Sequence, residues 1–125
     1  MNKQVETANA PGAIGPYSQA VVAGDFIYVS GQLPIDPATG AFAGEDIASQ
    51  TAQSLKNIKA ILEEAGFAMS DVVKSTVLLA DIADFAPMNT VYATFFTGVC
   101  PARAAFAVKD LPKAALVEIE VVAHK

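Results

Sequence analysis

The chain has one cysteine, one histidine and a single arginine among eight basic residues. A lone cysteine, Cys100, excludes an internal disulfide, and no apolar stretch follows Met1-Asn2-Lys3-Gln4 as it would in a signal peptide. Together these favour the cytosol. Hydrophobic residues make up 53% of the sequence, yet no apolar run approaches the ~18 residues needed to span a bilayer. The net charge of −5 argues against nucleic acid as a partner, because phosphate binding wants a basic face. Internal repeats, charge blocks, low-complexity segments and linkers are missing too. A chain of 125 residues is therefore expected to form one domain over 1–125, long enough to bury a core.

The elements follow from periodicity and turn chemistry. Residues 1–16 read as a short strand and a turn, with breakers at Ala10-Pro11-Gly12 and Gly15-Pro16. Ser18–Ala23 and Phe26–Gly31 read as a hairpin turning at Gly24-Asp25, with positive φ at the first position. In its second strand Ile27, Val29 and Gly31 share a face, and Phe26, Tyr28 and Ser30 share the other. Leu33 to Gly40 is a loop. Asp46 to Ala65 is a helix capped by Asp46 and stopped at Gly66, with an apolar stripe of Thr51, Leu55, Ile58, Leu62 and Ala65. Ser54, Asn57 and Glu64 fall toward its polar side. Val72–Leu79 is a strand apolar or small on both faces except at Lys74, hence central. Asp84–Thr97 is a second helix with Asp84 as cap and Pro87 in its first turn. A strand containing Arg103 and a last strand, Leu116–Ala123, complete an α+β order of β-β-α-β-α-β-β.

Pro101-Ala102-Arg103-Ala104-Ala105 sets the one guanidinium at the mouth of a strand of small residues. On that stretch alone, an arginine that snorkels to solvent or joins a surface ion pair is the favoured reading. A guanidinium above small side chains also suits a carboxylate pocket, because its planar fork grips both oxygens. Tyr17, Ser30-Gly31 and Asn89 likewise read first as ordinary edge, turn and helix-surface residues, and second as pocket lining. Glu118 and Glu120 alternate along the last strand, which usually means a solvated face. They share that face with Leu116 and Val122, which do not suit open water. Two helices cover one face of the sheet. The other is expected to carry Phe26, Tyr28, Ser30, Arg103, Ala105, Leu116, Glu118 and Val122. Such a surface is too apolar to stay bare and too polar to be a core, so a homo-oligomer with a site between chains is expected.

Several stretches, taken in order, resemble one family along essentially the whole chain: Ala13-Ile14-Gly15-Pro16-Tyr17-Ser18-Gln19, Val29-Ser30-Gly31-Gln32, Asn57-Ile58-Lys59, Asn89, Pro101-Ala102-Arg103 and Val117-Glu118-Ile119-Glu120. They are similar to the RidA/YjgF family of reactive enamine/imine deaminases, called endoribonuclease L-PSP in an older label. The resemblance implies a chorismate-mutase-like homotrimer with three clefts between subunits, the uncovered sheet face lying at the interface. It implies hydrolysis of 2-imino acids such as 2-iminopropanoate and 2-iminobutanoate, formed from enamines released by pyridoxal-phosphate-dependent dehydratases, to 2-keto acids and ammonia. No cofactor or metal is implied. Matching motifs assign Arg103 to the substrate carboxylate, Glu118 to the attacking water, and Tyr17, Ser30, Gly31 and Asn89 to the cleft lining. The chain departs from many members at Ala105, where they carry cysteine. The resemblance implies that this position acts through its backbone, so Ala105 excludes only a thiol mechanism there, and Cys100 is not its replacement. The loop between Phe96 and Pro101 is also shorter than in some relatives, which bears on substrate range.

Imine hydrolysis fits this set, with Arg103 as clamp and Glu118 as base and then acid. A neighbouring Arg103 would lower the Glu118 pKa by about 1–3 units, while burial would raise it by as much as ~3–5. One alternative is a non-catalytic ligand-binding or chaperone-like trimer, which would need the arginine but not the glutamate. A ribonuclease would need a basic face, a histidine pair or a metal cluster, and the only histidine, His124, sits beside the C-terminus.

Overall fold

The computed structural model describes residues 1–125. Six strands form one mixed sheet: β1 (Lys3–Val5), β2 (Ala20–Ala23), β3 (Phe26–Gln32), β4 (Val72–Leu79), β5 (Ala102–Ala107) and β6 (Val117–His124). Their order is β1-β2-β3-β6-β4-β5, with β4 and β5 parallel and every other pair antiparallel. Helices α1 (Ile47–Glu64) and α2 (Phe85–Tyr92) pack against each other, and α1 lies across β3 and β6. The expected β-β-α-β-α-β-β order stands, and the short strand expected within residues 1–16 is β1 at the sheet edge.

Local chemistry explains the boundaries. Asp46 caps α1 by accepting from the Ser49 N–H at 2.9 Å, and its carboxyl is held below the usual range mainly by that bond. Gly66, at φ 81°, ends the helix, with the Phe67 N–H reaching back to the Leu62 carbonyl. Gly24 turns the β2–β3 hairpin at φ 61°. Leu55, Ile58, Ile61 and Leu62 are fully buried against Ile27, Val77, Leu79, Val117 and Ile119. Each such side chain contributes about 1.5–3 kcal/mol on leaving water.

Several expectations are corrected. Helix α2 stops at Tyr92 and continues only as a 3-10 turn, Ala93–Phe95, rather than running to Thr97. Asp84 makes no capping bond; Asp81 does, accepting from the Ala83 N–H at the start of the preceding 3-10 turn. Ser54 and Asn57 are buried, not on a polar face. The Asn57 amide donates to the carbonyls of Leu33 and Ile35, so it pins the loop after β3.

Two corrections matter for function. Between the pairs Val29↔Val121 and Gln32↔Ile119, β3 has two residues where β6 has one. This bulge at Ser30-Gly31 breaks the alternation, so Gly31 turns toward Glu118 while Gln32 goes into the core. Arg103 and Ala105 were expected on the uncovered face with Glu118. Instead Arg103 pairs in register with Ser75 and Ala105 with Val77, whose side chains are buried on the helix-covered face. Phe106, paired with Leu78, takes the uncovered face and is 47% exposed. Alternation defines two faces but not which one turns inward, and α2 supplies a seat for the guanidinium that no strand pattern displays.

Candidate active site

Arg103 sits on the edge strand β5, beneath α2. Its Nη1 donates to the Asn89 Oδ1 at 2.6 Å. Its Cζ lies 4.8 Å from the ring centroid of Tyr92 and 5.5 Å from that of Phe85. One acceptor and two aromatic faces thus fix the guanidinium while most of its five donors remain for a ligand. The adjoining cavity, of about 570 Å³, is walled by Asn89, Tyr92, Ala93, Phe96, Cys100, Pro101 and Arg103. Cys100 is exposed at its rim. Ala105 packs against the core below.

Glu118 belongs to a second cluster on the opposite face of the sheet. A Cβ on Gly31 would stand 2.5 Å from its Oε2, so the absence of a side chain at Gly31 is what leaves room for the carboxyl. Burial pushes the Glu118 pKa above the ordinary carboxylate value, and the charge of Glu120 adds to the effect. Arg103 does not offset this within the chain, so burial wins the contest left open by the sequence. Glu118 is thereby a better proton acceptor than an exposed carboxylate.

Gly31 also borders a groove of about 700 Å³ that includes Tyr17, Gln19, Gln32 and Lys113. Tyr17 is half exposed there, its hydroxyl 3.4 Å from the Ile14 nitrogen. Ser30 is expected in the pocket lining, yet it offers a ligand no free donor. Both its donors are already used, the hydroxyl on the Ser18 carbonyl at 2.6 Å and the N–H on the Gln19 carbonyl at 2.9 Å. Its visible job is to fasten the Tyr17 segment to β3. Nor did sequence reasoning assign a role to Gln19. It is buried, accepts from the Thr7 N–H and donates toward the carbonyls of Thr7, Ala10 and Pro11, which shapes the groove wall. A buried glutamine directly after Tyr17-Ser18 gives no such signal by pattern alone.

The candidate residues therefore form two groups: Arg103 with Asn89, and Glu118 with Gly31 near Tyr17. Within one chain the sheet separates them. No group of three or more His, Cys, Asp or Glu side chains comes together, and no helix is long and apolar enough to cross a membrane.

Residues 7–125 match the family model described as Endoribonuclease L-PSP. This chain belongs to the RidA/YjgF family, which that model covers. A 2-iminobutanoate/2-iminopropanoate deaminase of Salmonella typhimurium is 49% identical over 126 residues, covering 98% of both proteins. A RutC family protein of Pyrococcus horikoshii is 54% identical over 125 residues, covering 100% of this chain and 99% of its own. The solved YjgF gene product of E. coli superposes with a TM-score of 0.95 at 47% identity, over 98% of each chain. The two-helix, mixed-sheet architecture is thus the RidA/YjgF architecture.

Proposed function

We propose that the chain is a hydrolytic deaminase of 2-imino acids such as 2-iminopropanoate and 2-iminobutanoate, releasing 2-keto acid and ammonia. The observation that carries this reading is Glu118: a half-buried carboxyl with a raised pKa, given its space by a bare Gly31. A site that only binds a carboxylate has no use for it. The names of relatives about half identical over nearly the full chain support the same reaction class.

Arg103, braced by Asn89, pairs with the substrate carboxylate. Glu118 removes a proton from water as its oxygen bonds to the carbon of the protonated imine, and the C=N π pair moves onto nitrogen. The product is a carbinolamine. Protonated Glu118 then delivers its proton to the amine. The C–N bond breaks as the hydroxyl collapses to the carbonyl, and its proton leaves with ammonia as ammonium. Because an iminium is already a strong electrophile, positioning and one proton shuttle suffice. Tyr17 and Ala105 would border the substrate, and no step calls on a metal or cofactor.

The two residue groups face away from each other in one chain, so each would complete the other across a subunit boundary. The uncovered sheet face supports such docking, since Phe26, Tyr28 and Phe106 are 40–51% exposed on it. A homotrimer is the assembly that the resemblance implies, and the cytosol is the setting that the lone cysteine favours. Glu118→Gln separates enzyme from binding protein. It should retain 2-oxobutanoate binding and lose turnover of imine generated by a threonine dehydratase. Full turnover in that variant would refute the mechanism.

A further inference from the structure

We propose that Ser75 is a positioning residue for the carboxylate clamp, acting through Tyr92. This rests on the reading of Arg103 as the carboxylate site. Ser75 is fully buried in β4, in register with Arg103 on the neighbouring parallel strand. Its Oγ lies 2.6 Å from the Tyr92 hydroxyl, the one side-chain hydrogen bond of either group. Tyr92 in turn presents its ring to the guanidinium at 4.8 Å, with the ring of Phe96 packed 4.7 Å from it.

A hydroxyl buried this deeply is costly unless it is bonded, and an alanine or valine would fill the strand position more simply. What the hydroxyl adds is a fixed tilt for the Tyr92 ring. Asn89 holds only one of the five guanidinium donors, which leaves the plane of the fork free to rotate. The ring face removes that freedom by setting the plane the guanidinium must lie over. Bidentate recognition of a carboxylate needs that plane held within ~10–20°. The line from Ser75 through Tyr92 to Arg103 thus transmits rigidity from an interior strand to an edge strand.

The test compares wild type with Ser75→Ala, Tyr92→Phe and the double variant at a temperature below all of their melting points. It reads 2-oxobutanoate affinity by NMR titration and KM and kcat in a dehydratase-coupled assay. Each single variant should weaken 2-oxobutanoate binding and raise KM about tenfold, the loss falling on KM rather than kcat. The double variant should regain thermal stability, because no buried hydroxyl is left unpaired, yet bind no better than either single. Affinity that recovers together with stability, or singles with unchanged KM, would show the pair to be merely structural and overturn the proposal while the deaminase reading stands. If Ser75→Ala fails to fold, Tyr92→Phe set against the double variant makes the same comparison. A wild type that neither binds 2-oxobutanoate nor turns over imine would sink both readings.

Discussion

Replacing Gly31 by alanine tests whether Glu118 works where the fold puts it. The new Cβ would stand 2.5 Å from Oε2, 3.0 Å from Cδ and 3.3 Å from Cγ of Glu118, where ordinary contact begins at 3.4 Å. The carboxyl therefore has to retreat by about 0.9 Å, the difference between 2.5 and 3.4 Å. The backbone itself accepts alanine, since Gly31 is not among the positive-φ glycines, and the obstructing atoms are the end of a flexible side chain. The fold should survive while the proton acceptor is displaced. A misplacement of about 1 Å costs on the order of a hundredfold in rate, or about 2.7 kcal/mol of transition-state stabilisation. In the dehydratase-coupled assay kcat should fall by that order, with 2-oxobutanoate affinity and melting temperature close to wild type. Wild-type kcat in a folded Gly31→Ala variant would refute the placement of Glu118 as base. Collapse of the fold would refute the claim that only the carboxyl is in the way.

Other consequences can be checked independently. The raised Glu118 pKa means that the folded chain holds this proton more tightly than the unfolded chain does. Its contribution to stability is fully present below the unfolded value near 4.5 and is lost as pH rises through the higher folded value. Glu118→Gln should therefore raise the melting temperature at pH 8 and have a vanishing effect near pH 4; a destabilised variant at pH 8 would contradict the burial argument. If the clefts are shared between chains, Arg103→Ala and Glu118→Gln proteins, each inactive alone, should regain up to about a quarter of wild-type activity after subunit exchange. No recovery in demonstrably mixed oligomers would place both residues in one chain's site. Gln19→Ala strands buried backbone groups of Thr7 and Ala10, costing about 1–3 kcal/mol in a urea melt. It should also loosen the segment bearing Tyr17, and an unchanged midpoint would mean that the clamp contributes nothing.

The strands and helices were legible because Leu55, Ile58 and Leu62 at helical spacing, and Val117, Ile119 and Val121 at period two, both mark one buried face. The site residues were legible as residue types at motif positions. Their arrangement was not. The bulge at Ser30-Gly31 inserts one residue that no alternation rule anticipates, and it decides that Gly31 meets Glu118. Alternation separates Arg103 from Phe106 on β5 but does not say which face α2 covers, and Phe106, the bulkiest residue of that strand, is the exposed one. The buried amide of Asn57 reads as a surface group until the loop it fastens is seen in space, and that of Gln19 carries no signal at all in the sequence. In each case the missing information is a long-range pairing, which composition and periodicity do not encode.

The most direct measurement is keto-acid formation when a serine or threonine dehydratase generates the imine, with wild type against Arg103→Ala. Acceleration by wild type over the buffer rate, abolished in a folded Arg103→Ala variant, is the predicted result. An equal rate with wild type, with the variant and with no added protein, across several amino-acid precursors, would contradict imine deamination by this chain.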